Sequence, residues 1–208
     1  MLTPEQLKRC PSKQQMDRFI EIVCPGGRVF GFRRLRGGIS SGMHAVRVQD
    51  GAGCVHRFVI RRYSGNWWAD TPDIANKEFR TLSLLDQLDI PAPKPLWIDS
   101  MEEIFGAPTL VISQLKGTAD LAPKDIGSYV RQLAEALAHL HRADLTGVDT
   151  GFLDDLPADV HQYLDPGRTG QEREAIERIT SHPRGGDVLQ AIRANWPEMT
   201  ARALVHTD

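Results

Sequence analysis

Three β-rich runs, Val29–Leu35, His44–Gln49 and Val55–Arg62, follow one another with connections of only a few residues. A parallel pairing needs a crossover of a dozen residues or more, so consecutive strands joined this tightly must run antiparallel. The second connection, Asp50-Gly-Ala-Gly53, has glycines that tolerate positive φ and is a strong hairpin signal. The first, Arg36-Gly-Gly-Ile-Ser-Ser-Gly42, is a loop of small residues.

Around these strands the pattern changes character. Thr3–Gln6 and Ser12–Gln15 both have capping-box spacing, and Pro4 suits a first helical position, so two short helices precede the strands and end at Pro25-Gly-Gly27. A helix over residues 72–88 follows them and is stopped by Pro91, Pro93 and Pro95. Two further apolar runs, Pro95–Ile98 and Thr109–Gln114, bring the sheet to five strands. The polar, turn-rich stretch Leu115–Pro123 reads as a linker between lobes. Beyond it the pattern is helical. Ile126, Val130, Leu133, Leu137 and Leu140 form an apolar stripe within Asp125–Ala143. Further helices are expected at Gln171–Thr180 and Asp187–Asn195, and a short strand at Ala203–Val205. The class is α+β, with an antiparallel sheet carrying one inserted helix and then a mostly helical half.

Composition narrows the function classes. A net charge of −2 argues against a general nucleic-acid binder, and Arg33, Arg34, Arg36, Arg61 and Arg62 read as solvated strand faces. No run approaches the ~18 apolar residues of a membrane span, and the N-terminus lacks the basic and apolar regions of a signal peptide. Cys10, Cys24 and Cys54 have no metal-ligand spacing, and their odd number suits a reducing cytoplasm better than a disulfide framework.

Several residues can carry chemistry. Glycines at 37, 38 and 42 let backbone N–H groups approach phosphate oxygens, and Ser40 and Ser41 can donate as well, although a hairpin uses such a loop for turn geometry alone. The loop is no P-loop and no dinucleotide fingerprint, since it lacks a Gly-Lys-Ser/Thr ending and a strand follows it. Strand alternation puts Arg61 on the same face as Val59. Glu78 shares a helical stripe with Ile74, Leu82 and Leu85, so its carboxylate needs a cationic partner, for which Arg61 is the candidate. Gln114 and Leu115 end an apolar strand where backbone groups can meet a planar ligand. Asp208, after Ala203-Leu-Val-His-Thr207, is placed to accept a hydroxyl proton.

Taken in order, a glycine-rich hairpin, a basic residue on the third strand, a helix glutamate, a hinge, a long amphipathic helix and a strand running into His-x-Asp match a protein-kinase-like plan. Leu133-Ala-Glu-Ala-Leu-Ala-His-Leu-His141 and Leu204-Val-His-Thr-Asp208 resemble the aminoglycoside phosphotransferase family. The resemblance runs from about residue 30 to the last residue. Residues 1–28 hold the two leading helices, and the resemblance implies 29–117 as a nucleotide-binding N-lobe and 118–208 as a partial helical C-lobe ending at the catalytic loop. It further implies that Gly37, Gly38, Ser40, Ser41 and Gly42 cover the ATP phosphates and that Arg61, paired to Glu78, holds them. Gln114 and Leu115 would frame adenine, and Asp208 would serve as base or hydroxyl-orienting group. Arg61 stands where the family usually has lysine. It keeps the charge but changes reach and shape.

The expected function is ATP-dependent phosphorylation of a small-molecule hydroxyl: an antibiotic, a sugar or a metabolite. The alternative is a non-catalytic nucleotide-binding or scaffolding module. The family implies Mg²⁺, but its asparagine and aspartate ligands would follow Asp208, so negligible turnover is expected of these 208 residues. Asp149, Asp154, Asp155 and Asp159 supply acidic surface of the kind a polycationic acceptor needs. Neither a nucleic-acid nor a membrane partner is expected, and the oligomeric state is open.

Overall fold

The computed structural model describes residues 3–35, 41–64, 73–117, 120, 122–154, 178, 181–194 and 203–204. They fall into two compact units, Met1–Val148 and Asp149–Asp208.

In the first unit β1 (Arg28–Arg34), β2 (Ser41–Gln49), β3 (Val55–Tyr63), β4 (Pro95–Asp99) and β5 (Thr109–Ser113) form one antiparallel sheet in the order β1-β2-β3-β5-β4. The β2–β3 hairpin runs in unbroken register from Ser41↔Tyr63 to Gln49↔Val55. Its turn is closed by Asp50, whose Oδ1 accepts from the backbone N–H groups of Ala52 (3.0 Å) and Cys54 (2.8 Å), with Gly53 at φ 83°. This is an Asx-type closure, in which a short carboxylate replaces missing backbone partners.

Two helices lead in, α1 (Pro4–Lys8) and α2 (Lys13–Val23), and each starts with a complete capping box, Thr3 with Gln6 and Ser12 with Gln15. Helix α3 (Ile74–Gln87) lies between β3 and β4, and α4 (Ile126–His141) follows the sheet, its first turn capped by Asp125 Oδ1 accepting from Ser128 N–H at 2.9 Å. In the second unit α5 (Gly185–Ala194) occupies the helix expected at 187–195. Ala203 and Leu204 of the strand expected at 203–205 are described and lie in no strand, while Val205 and nearly all of the helix expected at 171–180 lie outside the described residues. No helix among the described residues is long and apolar enough to cross a membrane.

The sheet is buried on both faces, each by a different helix. On one face, Met16, Phe19 and Ile20 of α2 and Cys24 at its C-terminal cap pack on Val46, Val48, Ile60 and Val111, joined by Ile104 and Phe105 from the β4–β5 connection. Phe19 is fully buried, its ring 5.5–6.2 Å from those of Trp97, Phe105 and Phe58. Phe105 is held there because the buried Asp99 accepts the backbone N–H groups of Glu103, Ile104 and Phe105 at 2.9–3.0 Å. On the other face, Ala75 of α3 meets Val59, Tyr63, Leu110 and Ile112, with Ile74, Phe79, Leu82 and Ile98 around them. The predicted stripe of α4 is present, but Ile126, Val130, Leu133 and Leu137 are all exposed and no described residue of that helix is buried.

Candidate nucleotide site

The site grows out of the last three residues of β3. Alternation along a strand sends Arg61 and Tyr63 to the α3 face and Arg62 to the α2 face. Ala75, fully buried and without a side chain beyond Cβ, lets α3 approach the sheet closely, and Glu78 lies one helical turn further along. The Arg61 guanidinium donates through Nη1 to Glu78 Oε1 at 2.6 Å, with the two side chains 25% and 22% exposed. That is burial enough to exclude most water but not to strand the charges.

Glu78 is held from a second side. Tyr63 Oη donates to its Oε2 at 2.5 Å, and the Arg61 guanidinium carbon lies 5.2 Å from the centre of the Tyr63 ring. Tyr63 is 1% exposed. Burial first, and then the Glu78 charge, push its phenol pKa well above the usual range against the opposing pull of Arg61. It therefore acts as a neutral hydrogen-bond donor. Arg61 Nε is buried and finds no hydrogen-bond partner among the described residues, which leaves a desolvated donor edge on a cation otherwise anchored.

Arg62 has a different task. Nearly fully buried, it donates through Nη2 to Leu7 O at 2.8 Å and to Arg9 O, binding carbonyls at the end of α1. Gly42 is its partner across the strands, and a Cβ there would come 2.2 Å from Leu7 O. Gly42 is thus glycine because α1 presses on it. Ser41 and Gly42 are strand residues at the start of β2, although the sequence placed them in the loop. Gly37, Gly38 and Ser40, together with Asp208, lie outside the described residues.

Gln114 and Leu115 follow β5. The Gln114 N–H is spent on Arg57 O at 3.2 Å, extending the β3–β5 pairing by one residue, and Leu115 is exposed. Among the described residues no group of three or more His, Cys, Asp or Glu side chains comes together to hold a metal ion.

Sequence reasoning identified the Arg61–Glu78 pair and missed Tyr63. The signal was available: Tyr63 is two residues beyond Arg61 on the same strand, so alternation alone puts both on the face that Glu78 approaches.

An antiparallel sheet of this order, with an α3 glutamate tied to a β3 cation, has the plan of a kinase-like N-lobe. Residues 32–208 match the model of APH, the phosphotransferase enzyme family, and the chain belongs to that family. Among solved structures it is similar to a candidate aminoglycoside phosphotransferase from Ralstonia eutropha JMP134, at 12% identity and a TM-score of 0.64 over 91% of this chain and 55% of that one. It is also similar to APH(2″)-IIIa in complex with GDP and kanamycin, at 16% identity and a TM-score of 0.50 over 82% of this chain and 60% of that one. At these identities the likeness is one of fold. The chain spans little more than half the length of either protein. No curated protein sequence matches it.

Proposed function

We propose that this chain carries the nucleotide-binding part of an ATP-dependent phosphotransferase acting on a hydroxyl group of a small molecule in the cytoplasm. The observation that carries the reading is Arg61: a cation on the α3 face of the sheet, a quarter exposed and anchored by Glu78 through Nη1. A guanidinium so held suits the α and β phosphates of a nucleotide, which it can meet with paired N–H donors. In this reading Gln114 and Leu115 face adenine through their backbone, and Gly37, Gly38, Ser40, Ser41 and Gly42 cover the phosphates. Asp208 accepts the acceptor's proton as the P–O bond to the γ-phosphorus forms and the bond to ADP breaks.

Mg²⁺ belongs to the family's chemistry, where it neutralises charge between the β and γ phosphates. No position for it follows from the described residues. The nucleotide and small-molecule acceptor classes are supported by the neighbour that holds GDP and kanamycin. Because the 208 residues match 55% and 60% of the two neighbours, they are proposed to bind nucleotide with negligible turnover on their own.

Titration of the chain with ATP by calorimetry tests the reading. Arg61→Met is expected to weaken binding about tenfold or more, as loss of a charge-assisted phosphate contact does, while the melting temperature moves little. Equal affinity in both proteins would overturn it.

A further inference from the structure

We infer that Tyr63 is a positioning residue that makes an arginine serviceable at position 61. The inference rests on the nucleotide reading above and adds a residue to it. A lysine ammonium is a compact point charge that can meet one carboxylate oxygen and one phosphate at once. A guanidinium is a planar fork whose best partner is a carboxylate taken by two parallel N–H bonds. Left alone with Glu78, Arg61 would swing to engage both carboxylate oxygens and spend its donors on the protein.

In the structure Tyr63 competes with that outcome. Glu78 Oε1 accepts from Arg61 Nη1, and Oε2 accepts from the Tyr63 hydroxyl at 2.5 Å, which draws that oxygen toward Tyr63. The pairing is therefore one-sided, a single Nη1–Oε1 bond with the second oxygen held by Tyr63. The Tyr63 ring also forms a floor under the guanidinium, 5.2 Å from its carbon, which limits the plane's rotation. One side chain thus helps fix the carboxylate, shapes the cation's seat and favours a one-bond pairing over the closed fork. Tyr63 touches no ligand in this account and acts only through Glu78 and Arg61.

The test is a double-mutant cycle on nucleotide affinity, using Tyr63→Phe, Arg61→Lys and the double variant, with ATP as the probe. Tyr63→Phe keeps the buried ring and removes only the hydroxyl, and thermal unfolding checks that each variant remains folded. With Arg61 present, freeing Oε2 lets the fork close on Glu78, and ATP affinity is expected to fall about tenfold. In the Arg61→Lys background no fork exists, and the same substitution is expected to change affinity less than about twofold. A phenylalanine variant that binds ATP as the parent does overturns the inference. So does an equal loss in both backgrounds, which is what a purely structural role produces. If the parent chain binds no ATP, the nucleotide reading falls and takes this inference with it; if the parent binds and the cycle shows no coupling, the inference fails alone.

Discussion

Arg61 and Arg62 are adjacent, identical in chemistry, and employed in opposite ways on the two faces of one sheet. Arg61 is a quarter exposed and neutralised by Glu78. Arg62 is 2% exposed and its described hydrogen-bond partners are carbonyl oxygens, those of Leu7 and Arg9. Burial pulls its pKa down to about 10, although it stays protonated at any physiological pH. The carbonyls at the end of a helix carry partial negative charge, so Arg62 takes from α1 part of what a carboxylate supplies to Arg61. The strand's alternation therefore divides labour. One face keeps a partly exposed cation paired to Glu78, and the other spends one to fasten the N-terminal segment.

If the α2 face is where stability resides, its central aromatic should show the largest effect. Phe19→Ala removes a fully buried ring packed on three aromatic neighbours and is expected to cost about 3–5 kcal/mol in urea unfolding. A loss below about 1 kcal/mol would mean that α2 only decorates the sheet. The next step compares the two arginines directly. Arg62→Met strands two carbonyls and is expected to cost about 2–4 kcal/mol with ATP affinity unchanged. Arg61→Met leaves Glu78 partly solvated and still bonded to Tyr63, so about 1 kcal/mol of stability is expected to go, with most of the effect falling on affinity. A reversed pattern, with Arg62 governing ATP and Arg61 governing the fold, would break the division.

The sheet was legible because its signals are local. Short glycine-bearing connections force antiparallel strands, and the capping boxes at Thr3 and Ser12 mark both helix starts. The Arg61–Glu78 pair was legible because a carboxylate on an apolar stripe demands a partner. What escaped depends on contacts far apart in the chain. Nothing local in Gly42 reveals that the Leu7 backbone lies against it, and a twin arginine at a strand end reads as solvated until α1 is seen to cover it. Asp99 looks like an ordinary turn residue, yet its burial under three backbone N–H groups organises the loop that delivers Phe105 to the core. The stripe of α4 was read correctly as amphipathic, but periodicity says only that a face is apolar and not what covers it.

The smallest expected effect at neutral pH concerns His44, which shares the α2 face with Arg62. Its imidazole is fully buried and stacked on Phe32 at 5.3 Å, and neither ring nitrogen has a hydrogen-bond partner among the described residues. Burial chiefly, then the charge of Arg62 and more weakly that of Arg34, bring its pKa from 6.5 down to about 4, while the nearby Lys8 backbone pulls the other way. A depressed pKa means that below 6.5 the unfolded chain takes up a proton the folded chain refuses until about pH 4. Stability is therefore lost as pH falls through that window, by about 3 kcal/mol in all. His44→Leu removes both the unpaired nitrogens and the titration. At pH 7 it should gain up to about 1 kcal/mol, since replacing an unsatisfied polar group by an apolar one of similar size is neutral or stabilising. At pH 4 the advantage over the parent should widen by about the linkage term. Unfolding free energies measured at both pH values decide it. Parallel acid losses in the two proteins would show that His44 is protonated or paired in the folded chain, and that the α2 face holds one charged side chain more than Arg62.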